Sequence, residues 1–336
     1  DDRYTQLKGI GALRPLAEAG LARIALEKVP APMVNTPQEG AAEALFGIAA
    51  SLDDDVNADV SILYLRLVLY LRPDFDLAKF LLADRFEALE RYDDAIAIYD
   101  AIGRESLYAR EAAIQRADCK ARQGDDETAL KEMRMLTETY PSNVEVWTAY
   151  GDLLRDAKKN GEAVAAYGRA LALSGEPSKK DWSLFFARAV SEQEGGSWDA
   201  AEADLRKALA LNPDQPQVLN FLGYSWVDQH RNLDQATTML EKAVKLAPEN
   251  GYIVDSMGWA YYRLGRYGDA ERTLEKAVEM VPGDPTINDH LGDAYWKVGR
   301  KLEAGFQWNH ALAFGAADKE KAEIDRKLKD GLDGDK

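Results

Sequence analysis

The residue types that most often support catalysis are few in this sequence. It has three histidines, His230, His290 and His310, and it contains no His-Glu-x-x-His, Gly-x-Ser-x-Gly or Gly-Lys-Ser/Thr motif. Ser256 and His290 are 34 residues apart, with Asp289 beside the histidine, so a hydrolase triad could be imagined. Packed helix axes lie about 8–10 Å apart, however, and no turn that could stabilise an oxyanion is evident. We therefore predict polar residues on helix surfaces and no enzymatic activity.

A second candidate for chemistry is an acidic run. Residues 53–59 place side-chain oxygens at alternate positions, as in the opening of an EF-hand calcium loop. Ala58 stands where the tight turn of that loop needs glycine, and Tyr64 stands where it needs a bidentate acid. We predict a solvated turn between helices here, with no metal and no other cofactor in the chain.

A third pattern is more regular. Asp84, Asp118 and Asp152 follow one another at intervals of 34 residues, and the same interval separates Gly258 from Gly292. A fixed period of this length indicates a repeat protein, in which each copy forms one small helical or β unit. The three carboxylates therefore occupy equivalent positions of successive units.

The content of the period identifies the repeat. Small, aromatic and proline residues recur in the order of the tetratricopeptide (TPR) repeat, most clearly in residues 251–284. That copy matches the pattern at Val254, Met257-Gly258, Tyr261, Ala270, Leu274, Ala277 and Pro282. Eight copies follow the same frame: 42–75, 76–109, 110–143, 144–177, 182–215, 216–250, 251–284 and 285–318, with 178–181 as an insertion.

This repeat predicts an all-α fold, a right-handed TPR solenoid of about eight helix-turn-helix repeats. A small residue such as Gly258 lets the two helices of a unit approach, aromatic residues fill the space beside it, and proline ends the second helix. Because each unit leaves one face uncovered, the ends need caps. We expect a capping helix and tail in residues 319–336. Residues 1–41 are expected to be a helical segment and a proline-rich linker, the remnant of a longer N-terminal part.

Composition narrows the choice of partner. The chain has 42 basic and 58 acidic residues, a net charge of −16 and a pI of about 4.8, which disfavours nucleic acid and anionic lipid. A single cysteine, Cys119, cannot form an intrachain disulfide. No apolar run approaches the ~18 residues of a membrane helix. Proteins or peptides are the expected partners, and self-association remains open.

The TPR resemblance implies a concave groove lined by the second, fifth, ninth, twelfth and thirteenth residues of each first helix. At these positions the chain changes from an acidic ladder to a mixture of aromatic and acidic residues. Such a surface suits a basic or apolar extended peptide; alternatively, the aspartates only bond to the neighbouring repeat. The predicted groove residues are Asp84, Asp118, Asp152, Tyr224, Asp228, Asp255, Trp259, Tyr262, Asp289, Asp293 and Trp296.

Longer runs resemble a narrower group, the TPR envelope proteins of alphaproteobacteria. They are VLNFLGYSWVDQ (218–229), GYIVDSMGWAYYRLGRYGDAERTLEKAV (251–278), INDHLGDAYWKVGRKLEAGFQW (287–308), EGAAEALFGIA (39–49) and LYLRPDFDLA (69–78). A more distant similarity is to lipoprotein adaptors of carboxy-terminal processing proteases in the periplasm. The resemblance implies a periplasmic protein, anchored to the outer membrane through an N-terminal segment absent from this sequence.

These observations predict a non-enzymatic scaffold or adaptor that recruits substrates to a periplasmic C-terminal processing protease. The alternative is an assembly or stabilising factor for an outer-membrane or polysaccharide-export complex. A third hypothesis is a cytoplasmic co-chaperone that docks a C-terminal carboxylate, which requires converging cations on the groove. Arg155, Arg263 and Lys297 are scattered instead, so we disfavour it.

Overall fold

The computed structural model describes residues 4, 13–29, 32, 34–52 and 54–332. These residues form eighteen α-helices and no β-strand, so the predicted all-α fold is confirmed. The helices are α1 Arg14–Ala25, α2 Pro37–Ala50, α3 Asp54–Leu71, α4 Asp76–Ala88, α5 Tyr92–Asp100, α6 Ala109–Arg122, α7 Asp126–Thr139, α8 Val144–Asp156, α9 Asn160–Ser174, α10 Trp182–Glu194, α11 Trp198–Leu211, α12 Pro216–Asp228, α13 Leu233–Leu246, α14 Gly251–Arg263, α15 Tyr267–Met280, α16 Pro285–Lys297, α17 Lys301–Ala313 and α18 Asp318–Asp330.

Consecutive helices pair as hairpins within two compact units. Unit 1 is Asp1–Gly175 and unit 2 is Glu176–Lys336. Unit 1 contains α1 and the four hairpins from α2 to α9, whereas unit 2 contains the four hairpins from α10 to α17 and then α18. Inside each unit, the second helix of one hairpin packs on the first helix of the next. The eight hairpins correspond to the eight repeats that the period predicts.

Two repeat boundaries are set by helix caps. The first hairpin begins at Pro37 rather than at 42, because Thr36 accepts a hydrogen bond from the N–H of Glu39 at 3.2 Å and proline suits the first helical position. Residues 30, 31 and 33 of the predicted linker lie outside the described residues. The predicted insertion forms a short 3₁₀ turn, Lys179–Asp181, at the start of unit 2.

The acidic run that resembled a calcium loop lies at the start of α3. Asp53 is outside the described residues, and Asn57 interrupts the helix with φ −129° and ψ 23°. Among the residues whose placement is described, no group of three or more His, Cys, Asp or Glu side chains could hold a metal ion.

The glycines of the repeat lie where the helices of a hairpin touch. A Cβ atom built on Gly258 would be 2.6 Å from Cγ of Leu274, and one built on Gly292 would be 2.5 Å from the indole of Trp308. Both partner side chains are fully buried. Only a residue without a side chain allows the two backbones this approach, so the period of the glycines reflects hairpin packing.

Candidate functional site

The first helices of unit 2 form an open cleft of about 430 Å³. Residues of α10, α12, α14 and α16 line it, and α12 contributes most of them. The side chains with the most distinctive chemistry are Phe221, Tyr224, Asp228, Tyr252, Asp255 and His290. Aromatic rings and carboxylates therefore converge on one concave surface.

Caps at the helix starts position these side chains. Asn250 accepts hydrogen bonds from the backbone N–H groups of Tyr252 and Ile253 at 3.1 and 3.2 Å, which starts α14. Asp284 accepts from the N–H of Ile287 at 2.9 Å and is followed by proline, which starts α16. Each cap fixes the first turn, so Tyr252, in the first turn of α14, lines the cleft.

A buried histidine and aspartate form one wall of the cleft. Nδ1 of His290 lies 2.9 and 3.1 Å from the two carboxylate oxygens of Asp255. The His290 ring stacks on Trp259 at 4.1 Å between centroids, and Trp259 stacks on Tyr262 at 4.7 Å. Burial alone would lower the pKa of His290, but the charges of Asp255, Asp289 and Asp293 and the hydrogen bond to Asp255 raise it above its ordinary value.

The stability of the protein should therefore depend on pH through His290. A histidine whose pKa is raised by folding stabilises the fold fully below its unfolded pKa of about 6.5, and this contribution is lost as pH rises through the folded pKa. We expect urea unfolding to show lower stability at pH 9 than at pH 6, and His290→Gln to reduce that difference. His310→Gln, an exposed histidine on α17, is the control. An unchanged pH profile in His290→Gln would contradict the role of the pair.

Tyr224 and Asp228 form the acidic and aromatic side of the cleft on α12. Burial, together with the nearby charges of Asp255 and Asp228, raises the pKa of Tyr224 to about 12, so its hydroxyl stays protonated and can donate. Arg263 donates to the Asp228 carboxylate at 3.2 Å and to its backbone carbonyl at 3.1 Å. The Asp228 side chain is still 61% exposed, so it can also meet a cation from a partner.

The last three predicted groove residues contact α18 instead of open space. The Lys327 ammonium lies 2.8 Å from Asp289 and 2.9 Å from Asp293, and its side chain is 5% exposed. Trp308 donates its indole N–H to Asp293 at 3.0 Å. Gly331 lies against Trp296. Because α18 starts one period after α16, these carboxylates bond to the next helix of the stack, as the alternative interpretation expected.

The predicted acidic ladder lies in unit 1, and each of its carboxylates has a donor from its own repeat. Asp118 and Asp152 border a smaller cleft of about 260 Å³. The donors are Arg85 for Asp84 at 3.3 Å, Arg122 for Asp118 at 2.7 Å and Tyr167 for Asp152 at 2.7 Å. These pairs partly neutralise the ladder, so unit 2 offers the more distinctive cleft.

Of the eleven predicted groove residues, the structure brings Tyr224, Asp228 and Asp255 together in the unit 2 cleft. Trp259 and Tyr262 stack behind its histidine wall. Sequence reasoning left out Phe221 and Tyr252. Tyr252 occupies the second position of its first helix, a groove position, and could have been found, whereas Phe221 occupies the sixth position, outside that set.

The imagined hydrolase triad is not assembled. Ser256 donates its hydroxyl to the backbone carbonyl of Tyr252 at 2.9 Å, while His290 faces Asp255. In the part of the chain that the structure describes, no hydrogen bond joins Ser256 to His290. A nucleophile needs that contact with its base, so this arrangement supports binding better than acyl transfer.

Comparisons with curated proteins give partial matches. A TPR repeat-containing protein of Pseudomonas aeruginosa is 38% identical over 93 residues, which are 28% of this chain and 16% of that protein. The cytochrome c-type biogenesis protein CycH of Bradyrhizobium diazoefficiens is 27% identical over 168 residues, covering 48% and 45% of the two chains. The chain thus spans less than half the length of either relative.

Solved structures share the fold. The APC/C hetero-tetramer Cut9–Hcn1 aligns with a TM-score of 0.62 at 15% identity, covering 89% of this chain and 57% of that one. A tetratricopeptide repeat protein from Parabacteroides merdae aligns with a TM-score of 0.50 at 19% identity, covering 66% and 97%. In the described residues, no helix combines the length and apolar character needed to span a bilayer.

Two family models, both described as tetratricopeptide repeat, match the sequence. One matches residues 186–251 and 256–320, and the other matches 110–153. Together they cover about half of the chain, and their limits fall within the hairpins from α6 to α18. With the eight helical hairpins and the 34-residue period, these matches show that the chain belongs to the tetratricopeptide-repeat family.

Proposed function

We propose that this chain is a non-enzymatic scaffold that binds an extended segment of a partner protein in the unit 2 cleft. The observation that carries the proposal is the convergence of Tyr224, Tyr252 and Asp228 in an open cleft on the first helices. Tyr252 is 57% exposed, so hairpin packing does not require this aromatic residue. Exposed aromatic residues beside a polar rim are typical of binding sites.

The chemistry of the cleft favours a segment with basic and apolar side chains. Asp228, Asp255 and Asp284 line it and no lysine or arginine does, although His290 compensates Asp255. The chain as a whole carries a net charge of −16. A lysine or arginine of the partner would gain a carboxylate, and an apolar neighbour would cover the rings of Phe221 and Tyr252.

The cellular role that we propose is a periplasmic adaptor, anchored to the outer membrane, that presents substrates to a C-terminal processing protease. The resemblance of residues 218–229, 251–278 and 287–308 to alphaproteobacterial envelope proteins supports this role. An adaptor needs a groove that accepts unfolded or extended segments of varied sequence. Aromatic area and carboxylates give the sign selection without a fixed sequence code.

Affinity purification from an alphaproteobacterial envelope extract tests the role. We expect the tagged chain to recover a processing protease or its substrates, and the double variant Tyr224→Ala/Asp228→Lys to lose the substrates. Glu241→Lys, a charge reversal at an exposed residue of α13 outside the cleft, is the matched control and should bind as the wild type does. Equal recovery by the cleft variant would contradict the proposed site.

A second candidate is an assembly or stabilising factor for an outer-membrane or polysaccharide-export complex. The similarity to CycH, which is named for cytochrome c-type biogenesis, favours this candidate. In the same purification, a multi-subunit envelope complex recovered equally by wild type and cleft variant would support the assembly role and reject the protease adaptor.

A further inference from the structure

The helix α3 is apolar on two opposite faces. Ile62, Leu65 and Val68 are buried in the core of unit 1. On the other side, four apolar side chains at spacings of three, four and three residues stay exposed. This outer stripe consists of Val60, Leu63, Leu67 and Tyr70, which are 44%, 59%, 44% and 84% exposed. A helix that is apolar all round normally has a partner on both sides.

The repeat itself does not require this stripe. The equivalent residues of the second helices in later repeats, 68 and 209 residues further along, are mostly polar or charged. On α7 they are Thr128, Lys131, Met135 and Glu138, and on α15 they are Asp269, Arg272, Lys276 and Glu279. The same fold therefore tolerates a solvated face at these positions, and the stripe on α3 needs a separate explanation.

We infer that the outer stripe of α3 pairs with the same stripe of a second copy of this chain. Spacings of three and four residues are those of a two-helix seam. The order three, four, three reads the same in both directions, so an antiparallel copy matches it residue for residue. Val60 then faces Tyr70 of the second copy, a small residue against a large one, and Leu63 faces Leu67.

The charge pattern favours a second copy over a charged partner helix. All four stripe residues are uncharged, so two copies of the stripe meet without burying an ion. A two-fold contact is also the commonest way for identical chains to associate. Four side chains per copy make an interface smaller than the ~800 Å² per partner of a standard complex. The net charge of −16 on each copy also opposes association, so the pair should be weak and should tighten with salt.

Sedimentation velocity of the full chain at rising concentration tests the pairing. We expect a monomer–dimer equilibrium that Leu67→Glu weakens by at least about tenfold, because a carboxylate would be buried opposite Leu63. Met135→Glu is the matched control, since Met135 occupies the equivalent position of α7 and is 58% exposed. Both variants should keep the wild-type helix content and melting temperature. A monomer at all concentrations, or a dimer equally sensitive to Met135→Glu, would overturn the inference.

Disulfide trapping tests the antiparallel register. Leu63→Cys mixed with Leu67→Cys should form a covalent heterodimer faster than either variant alone, because these positions face each other across the pair. Cys119 should not interfere, since it is buried and burial raises the pKa of its thiol to about 12. Equal trapping of all three combinations would contradict the antiparallel pairing.

Discussion

Replacing Lys327 with methionine should destabilise unit 2 by about 3–5 kcal/mol at pH 8. Lys327 is buried between Asp289 and Asp293. Burial raises the pKa of Asp293 to about 6, although Lys327 opposes the rise, and the two carboxylates raise the pKa of Lys327. At pH 8 both partners are therefore charged. Methionine keeps the apolar stem but leaves the carboxylates without their cation.

Urea unfolding of full-length variants measures this effect. Lys321→Met is the matched control, because Lys321 lies on the same helix in an exposed pair with Asp318, and it should change stability by less than about 1 kcal/mol. The loss in Lys327→Met should be smaller at pH 5, where Asp293 can take up a proton. Equal effects of the two substitutions would show that the buried pair does not attach α18.

Replacing Gly292 with alanine should destabilise the chain by about 1–3 kcal/mol. The new Cβ atom would lie 2.5 Å from the indole of Trp308. Trp308 is 1% exposed and donates to Asp293, so it cannot move without losing a buried hydrogen bond. The cost of overpacking should exceed the gain in helix propensity of about 1 kcal/mol.

Thermal unfolding of Gly292→Ala beside Gly305→Ala separates the two contributions. Gly305 lies inside α17, and a Cβ atom there would meet nothing within 4 Å. Gly305→Ala should therefore raise the melting temperature through propensity alone, while Gly292→Ala lowers it. A rise in both variants would mean that the hairpin crossing has room for a side chain.

The sequence predicted the fold well because hairpin packing repeats. Gly258 and Gly292 meet a large side chain of their own hairpin in the same way, so one physical requirement appears every 34 residues. The insertion at 178–181 also had structural meaning, since it lies at the start of unit 2. The start of the first hairpin was less predictable because Thr36 and Pro37 cap α2 outside the repeat frame.

The candidate site was only partly predictable because its partners lie one repeat apart. Sequence position placed Asp255 and Asp289 on the groove, but not the cation that faces each of them. Asp255 faces the ring of His290, 35 residues away, and Asp289 faces Lys327, 38 residues away. Those contacts depend on how neighbouring first helices are rotated, which a 34-residue period does not specify. They separate the cleft that remains open from the carboxylates that hold α18.

Binding of labelled extended peptides to the full-length chain tests the central claim most directly. One peptide alternates lysine with leucine, and its counterpart has glutamate in place of lysine. Fluorescence anisotropy should show binding of the lysine peptide alone, weakened by salt and by at least about tenfold in Tyr224→Ala. Glu241→Lys should leave that affinity within about twofold, as a rim charge outside the cleft. Equal affinity for both peptides, or full affinity in Tyr224→Ala, would contradict peptide binding in the unit 2 cleft.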